Sequence, residues 1–486
     1  MTSTKNIIII FILLTFSGFG FAVQNNSNTF RADTSYIGIW QGTLDVGGGN
    51  NLRIVFHISE EADSLRGAMD SPDQGAFGIP VTSIEIFSDS IRLNVQSING
   101  YYLGKLEKIS LKITGIWNQN GRAFPLNLKK TNKVEEVKRP QEPKKPYPYK
   151  EEQVKFQNKK ADITLAGTLT LPESGNNLPA VVLITGSGPQ DRNETIYNHK
   201  PFLVLADYLT RKGIAVLRYD DRGFDESGGN FSTATTQDFV TDALAAVDYL
   251  LSRKEINPKE IGLIGHSEGG LIAPLAAVKS DNVGFIVLMA GPGLPGEDIL
   301  KMQSELILKA NGADEDYIQK TKTLNNAAYS LIKTEKDSIQ LREKLDSLFI
   351  NYINSFPENE RAKLGKDPEK IFKSQINFIT SPWFKYFLTY DPRPTLKKVK
   401  VPVLAIDGSK DLQVPPKEDL EAISKSLGEG GNKNFKVEEL QGLNHLFQTA
   451  NTGSPAEYAK IEETISPKAL KVIGDWILKT VNKGKE

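Results

Sequence analysis

The pattern of apolar and polar positions divides the chain in two. Up to about residue 130, apolar residues alternate with polar ones, as in Leu52-Arg53-Ile54-Val55-Phe56-His57-Ile58, Ser90-Ile91-Arg92-Leu93-Asn94-Val95 and Ile109-Ser110-Leu111-Lys112-Ile113. A period of two places every second side chain on one face, which predicts half-buried strands. Clusters such as Gly47-Gly48-Gly49-Asn50 separate the runs and supply turns. Residues 31–130 are therefore expected to form an all-β unit, a small antiparallel barrel or sandwich. Trp40 and Trp117 are expected in its core; a sugar-stacking platform is the alternative. His57 has no evident acid or nucleophile beside it and reads as structural.

Residues 131–150 are charged and rich in proline, which would break a helix or strand repeatedly, so this stretch reads as a semi-extended linker. From about 151 to 486 the pattern changes to short apolar runs separated by helical periodicity. Ala180-Val181-Val182-Leu183-Ile184, Ile214–Leu217, Val283–Met289, Val401–Ile406 and Phe435–Leu440 read as strands, most of them buried on both faces. Pro201–Lys212 reads as a helix, and Val240, Leu244, Val247 and Leu251 recur at helical spacing. A last helix is expected from Ser466-Pro467, burying Leu470, Ile473 and Ile477. Such alternation predicts an α/β fold, a mostly parallel sheet with helices on both faces. Residues 295–390 interrupt it with helical signals alone, including stripes Ile299-Met302-Leu306 and Leu341-Leu345-Leu348-Tyr352. An insertion between two strands is expected to lie over the active-site ends as a cap.

The first 22 residues carry Lys5, an apolar run Ile7–Phe21 and small residues Gly20 and Ala22, the pattern of a cleaved signal peptide. The apolar run is short for a membrane span of about 20 residues. The protein is expected to be exported, periplasmic or secreted, with no stable membrane anchor after cleavage. The formal charge over 486 residues is zero, which gives no electrostatic reason to expect nucleic acid as a partner. There is no cysteine, so disulfides, thiolate catalysis and cysteine-ligated metals are excluded.

Candidate chemistry centres on Gly265-His266-Ser267-Glu268-Gly269, a G-x-S-x-G sequence between an apolar strand and a helix. In a nucleophile elbow the serine occupies a strained strand-to-helix turn, and small residues let strand and helix pass closely. A serine hydroxyl needs a base, and the base an orienting acid. Of four histidines, His445 lies in a loop after the last strand, while His199 is in a polar loop and the His266 side chain should point away from that of Ser267. The acid should follow the strand at 401–406, where Asp411 is better able to reach a neighbouring loop than Asp407 at the strand end. Ser267, Asp411 and His445 are the expected catalytic set. Two backbone donors are needed for an oxyanion: the N–H of Glu268 and, from Thr185-Gly186-Ser187-Gly188, that of Ser187, with Gly188 as the near alternative. Tyr219-Asp220-Asp221-Arg222-Gly223 is expected to shape the floor of a loop through Asp–Arg pairing, with a direct substrate role for Arg222 as the alternative. No cofactor and no metal are expected.

These motifs, with Gly186-Ser187-Gly188-Pro189-Gln190-Asp191-Arg192, Ser381-Pro382-Trp383-Phe384, Asp407–Pro415 and Leu443-Asn444-His445, resemble the alpha/beta-hydrolase superfamily over residues 151–486. They are most similar to bacterial exported carboxylesterases and serine aminopeptidase-like hydrolases. The resemblance implies that Ser267, Asp411 and His445 are the triad and that the activity is esterase chemistry on short acyl chains. Thr185 departs from the pattern, since many relatives carry histidine before the oxyanion glycine. The expected function is a serine carboxylesterase acting on a small-molecule ester. The alternatives are a peptidase or amide hydrolase using the same residues, and an exported binding protein with an incidental hydrolase fold.

Overall fold

Alternation in the N-terminal third yields strands β1 (Gly38–Asp45), β2 (Asn51–Glu61), β3 (Ser64–Ser71), β4 (Ala76–Val81), β5 (Ser83–Phe87), β6 (Ser90–Val95), β7 (Gly100–Glu107), β8 (Lys112–Gln119), β9 (Arg122–Pro125) and β10 (Leu128–Thr131). The structure, a computed structural model, describes residues 34–45, 51–61, 64–74, 76–119, 122–133, 138–361 and 368–482. The expected leader at 1–22 lies outside the described residues. By packing, the described chain divides into two compact units: residues 34–138 with 350–371, and residues 139–349 with 372–482.

In the first unit the strands form one antiparallel sheet in the order β4-β3-β2-β1-β10-β8-β7-β6-β5, with β9 paired to β8. Its ends approach each other. A Cβ built on Gly67 of β3 would lie 3.2 Å from Ile84 Cδ1 of β5, so the sheet curls around one core. Trp40, Phe56, Tyr102 and Trp117 fill that core and are fully buried. Trp40 donates from Nε1 to the Tyr36 carbonyl at 2.7 Å, which satisfies its one polar atom. Neither indole is available as a sugar platform.

Two sequence expectations fail in this unit. Ile109–Ile113 is not a single strand: β8 begins at Lys112, Ile109 is fully exposed and Leu111 has φ +50°. The hairpin register pairs Glu107 with Lys112, which leaves 108–111 to the turn despite their alternating letters. His57 does have an acid beside it, with Nε2 2.6 Å from Asp70 Oδ2 on the neighbouring strand.

The second unit is built on β11 (Tyr149–Asn158), β12 (Ile163–Pro172), β13 (Leu178–Ile184), β14 (Ala215–Tyr219), β15 (Ile256–His266), β16 (Phe285–Met289), β17 (Val403–Gly408) and β18 (Phe435–Leu440). The sheet order is β11-β12-β14-β13-β15-β16-β17-β18. The first two strands are antiparallel to their neighbours and β13 to β18 are parallel. The parallel strands are apolar because helices cover both faces. The last helix, Pro467–Asn482, sets Leu470, Ile473 and Ile477 into the same buried cluster as Phe202, Leu205 and Phe285. Each such side chain contributes about 1.5–3 kcal/mol on burial.

Helix faces are rotated from their expected stripes. In Thr236–Leu251, opened by a Thr235–Asp238 capping box, the buried face is Val240, Ala243, Val247 and Leu250, with Leu244 and Leu251 at its margin. The alanines face inward because they let the helix approach closely, a role that hydrophobicity alone understates. Between β16 and β17 lie helices at Gly296–Ala310, Glu315–Thr334, Ser338–Asn354, Pro368–Ile379 and Pro382–Thr389. In the first of these, Ile299, Gln303 and Ile307 are buried, while Met302 and Leu306 are only half-buried. Among the described residues, no helix is long and apolar enough to cross a membrane.

The segment expected to be a free linker is partly claimed by structure. Lys130 and Thr131 belong to β10, and Tyr149 and Lys150 to β11. Between them, the Arg139 guanidinium donates to the carbonyls of Tyr197, Asn198, Ala459 and Ile461, and Gln141 Oε1 accepts from the Thr464 and Ile465 amides.

Candidate active site

The elbow forms where β15 ends and the helix Gly269–Lys279 begins. Ser267 has φ +52°, a left-handed conformation that costs a non-glycine residue about 1–3 kcal/mol. The surroundings hold it: its N–H donates to the Met289 carbonyl at 2.8 Å, and its carbonyl accepts from Gly270 at 2.8 Å. Both motif glycines are sterically required. A Cβ on Gly265 would lie 2.0 Å from the Gly269 oxygen, and one on Gly269 would lie 2.3 Å from the Ile184 oxygen.

His445 and Asp411 come from the loops after β18 and β17, and Nδ1 of the first lies 2.6 Å from Oδ2 of the second. Both side chains are buried. The other Asp411 oxygen accepts from the Gln413 and Val414 amides at 2.7 and 3.0 Å, fixing the carboxylate. Asp407 is not the histidine's partner. Its Oδ1 accepts from the Gly408 amide, and burial, followed by the charge of Asp411, raises its pKa well above the carboxylate range. Among the described residues no hydrogen bond joins the Ser267 hydroxyl to His445; elbow and base loop are joined instead through His266, whose Nε2 lies 2.9 Å from the His445 carbonyl oxygen.

The loop after β13 runs past the serine. A Cβ on Gly186 would be 3.2 Å from Ser267 Cβ. The Gly186 amide is already occupied, donating to Glu194 Oε1 at 2.9 Å. Among the described residues, the Ser187 and Glu268 amides donate to no protein acceptor, and they are the two donors expected for an oxyanion. Upstream, Thr185 donates to Asp221 Oδ1 at 2.7 Å, which ties this loop to the one after β14. Arg222 does not pair with the aspartates beside it in sequence. It bonds Asp242 on the helix Thr236–Leu251, at 2.7 and 2.9 Å, while Asp220 pairs with Arg192. Arg222 is buried, with Nε and Nη2 bonded to Asp242 and Nη2 also to the Asp238 carbonyl.

Two features were not found from sequence. Glu268, buried beneath the elbow, accepts from Thr236 Oγ1 at 2.7 Å and from Trp383 Nε1 at 2.8 and 2.9 Å. Burial raises its pKa against the opposing effect of these bonds. Trp383 lies in the first turn of the helix Pro382–Thr389, so this bond ties that helix to the elbow. The second feature is Glu194, bonded to His266 Nδ1 at 2.8 Å. Burial alone would lower the His266 pKa, but the charge and hydrogen bond of Glu194 outweigh it and raise it. Nothing in the spacing of Asp191-Arg192-Asn193-Glu194 marks the glutamate as different from an ordinary loop acid. Among the described residues no group of three or more His, Cys, Asp or Glu is placed to hold a metal ion.

Residues 199–340 match a family described as serine aminopeptidase, S33. The chain is 30% identical over 325 residues to Esterase EstD of Thermotoga maritima, covering 65% of this chain and 67% of that protein. It is 33% identical over 90 residues to the putative hydrolase YtaP of Bacillus subtilis, covering 16% of this chain and 30% of that one. Among solved structures it is similar to the Pyrococcus furiosus esterase Pf2001, with a TM-score of 0.42 and 17% identity over 71% of this chain and 98% of that chain. Est1E of Butyrivibrio proteoclasticus gives a TM-score of 0.39 and 18% identity over 68% of this chain and 100% of that chain. With its sheet order, its strand-to-helix serine turn and its match to two thirds of EstD, the chain belongs to the alpha/beta-hydrolase family of that esterase.

Proposed function

We propose that this hydrolase is a serine carboxylesterase acting on short acyl esters through Ser267, His445 and Asp411. The observation that carries the reading is the buried 2.6 Å bond from Asp411 to His445 Nδ1, which leaves Nε2 as the nitrogen able to take a proton. Ser267 Oγ attacks the ester carbonyl carbon while its proton passes to His445 Nε2. Asp411 stabilises the imidazolium that forms. The amides of Ser187 and Glu268 hold the negative oxygen of the tetrahedral intermediate, at the N-terminus of a helix that favours negative charge. Collapse expels the alcohol, which takes the proton back from His445. Water then attacks the acyl-serine with His445 as base, releasing the acid and restoring the serine. The inserted helices act as a cap, held to the elbow by Trp383. The protein works outside the cytoplasm, a reading supported by the leader pattern Lys5 to Ala22.

The family match favours one second reading, an amide or peptide hydrolase with the same residues. Turnover of p-nitrophenyl acetate and butyrate against matched p-nitroanilides separates the two. Replacing Ser267 with alanine tests both: retained hydrolysis would remove the assignment.

A further inference from the structure

Behind the proposed catalytic residues lies a second histidine–acid pair that the reaction does not use. Glu194 and His266 are both buried, at 2% and 5% exposure. Glu194 holds φ +54°, a strained conformation for a residue with a side chain. Its Oε1 meets two groups, the Gly186 amide at 2.9 Å and His266 Nδ1 at 2.8 Å. At the other side of the ring, His266 Nε2 meets the His445 carbonyl oxygen at 2.9 Å. Three segments therefore converge on these two side chains: the loop after β13, which carries both Gly186 and Glu194, the elbow and the base loop.

The proton count follows from the partners. A carbonyl oxygen only accepts, so His266 Nε2 carries a hydrogen. Nδ1 faces a carboxyl oxygen that already accepts an amide N–H, so the shared proton sits on the ring and Glu194 is the carboxylate. The groups facing His266 from the packed elements are Glu194, Asp411 and the His445 ring, whose centroid is 4.9 Å away, with Phe447 at 6.3 Å closing the apolar side. Two of these are carboxylates, which favours a cationic ring.

We propose that Glu194 and His266 form a non-reacting carboxylate–imidazolium brace that sets the oxyanion loop and the catalytic histidine's backbone against the elbow, making both positioning residues for acyl transfer. The proposal rests on the esterase reading above. Glu194 fixes Gly186, and with it the direction of the next amide, Ser187, towards the developing oxyanion. His266 fixes the peptide of His445, and with it the placement of the imidazole over Ser267. Removing an oxyanion donor costs about 10²–10³ in kcat, which bounds the cost of misplacing one. A brace of this kind acts on the transition state more than on bound substrate, so kcat should fall with KM little changed.

The test uses the full chain with p-nitrophenyl butyrate, comparing Glu194→Ala, Glu194→Gln, His266→Gln and Ser267→Ala, each checked for folding by circular dichroism. Glu194→Ala is expected to lose about 10²-fold in kcat with KM within about 3-fold, and Glu194→Gln, which keeps an acceptor for Gly186, to recover part of that loss. Folded Glu194→Ala with kcat within about 3-fold of the parent overturns the proposal. Because the chain has four histidines, ¹⁵N-histidine labelling resolves the rings in the unmodified protein, with His266 assigned by its loss in His266→Gln. This readout stands even if the Glu194 variants do not fold. His266 is expected to show two protonated ring nitrogens at pH 7; a neutral ring at pH 7 overturns the proposal. Ser267→Ala keeps the failures apart. Activity surviving in that variant removes the esterase reading, whereas its loss, together with a neutral His266 or an indifferent Glu194→Ala, removes the brace alone.

Discussion

The interiors of the two units are built on opposite terms. Under the antiparallel sheet the core is aromatic and aliphatic, and Ser71 is the one non-aromatic polar residue buried among the described residues up to 133. At the carboxyl ends of the parallel strands, Glu194, Asp221, His266, Glu268, Asp411 and His445 are all buried. Removing a charge from water is costly unless a partner and hydrogen bonds offset the loss. The second unit meets that requirement residue by residue, through Gly186 and His266 on Glu194, Thr185 and Gln190 on Asp221, and Thr236 and Trp383 on Glu268. A fold holds so many ionisable groups in one place where they have chemistry to perform. Among its described residues the first unit has no such concentration.

The sharpest way to break this contrast is through the proposed reacting groups. Ser267→Ala should lower kcat/KM by about 10⁴-fold or more, and Asp411→Asn by about 10⁴-fold, with little effect on folding. Asp407→Asn, which keeps an acceptor for the Gly408 amide at a position that does not bond His445, should stay within about 10-fold of the parent. Equal losses at the two aspartates in p-nitrophenyl ester assays would remove the distinction between them.

Trp40→Ala should act in the other unit and in the other currency. Emptying that core should cost about 3–5 kcal/mol by denaturant melting. Turnover per titratable serine should stay unchanged; a large drop would show that the first unit does more than pack.

Smaller effects probe individual bonds. Trp383→Phe removes the indole donor and leaves the Glu268 carboxyl short of a partner, which should cost about 1–3 kcal/mol of stability. Asp419 is a subtler probe. Burial pushes its pKa up to about 7, although the Gly293 and Leu294 amides oppose the shift. An acid whose folded pKa is raised binds its proton more tightly when folded. Its stabilising contribution is therefore complete below the unfolded value near 4 and is lost as pH rises through about 7. Unfolding free energies measured at pH 4.5, 6 and 7.5 should fall more steeply in the parent than in Asp419→Asn, by at most about 1.4 kcal/mol per pH unit. Parallel slopes would discard the assignment.

Much of this architecture could be read before any coordinates. The apolar runs at Ala180–Ile184 and Val401–Ile406 became members of the same parallel sheet because strands covered on both faces must be continuously apolar. Asp411 and His445 could be paired in advance because chain order and loop position follow from the sheet. What escaped was the choice of partner for each buried charge. Arg222 is surrounded in sequence by aspartates yet bonds Asp242 on a helix, and the Glu194–His266 contact joins residues that are far apart along the chain. Periodicity reports which face a residue occupies, not what it meets there. The inward alanines of the helix Thr236–Leu251 were missed for a related reason, since close approach selects small side chains over strongly apolar ones.

The four carbonyls held by Arg139 bear on how the molecule could be taken apart. A protease or an engineered start site acting after that arginine would leave the hydrolase missing its own stitching, with the peptide oxygens of Tyr197, Asn198, Ala459 and Ile461 stripped of a cationic donor. The clean place to sever the β unit is therefore ahead of Arg139, well before the first strand of the catalytic sheet begins at Tyr149.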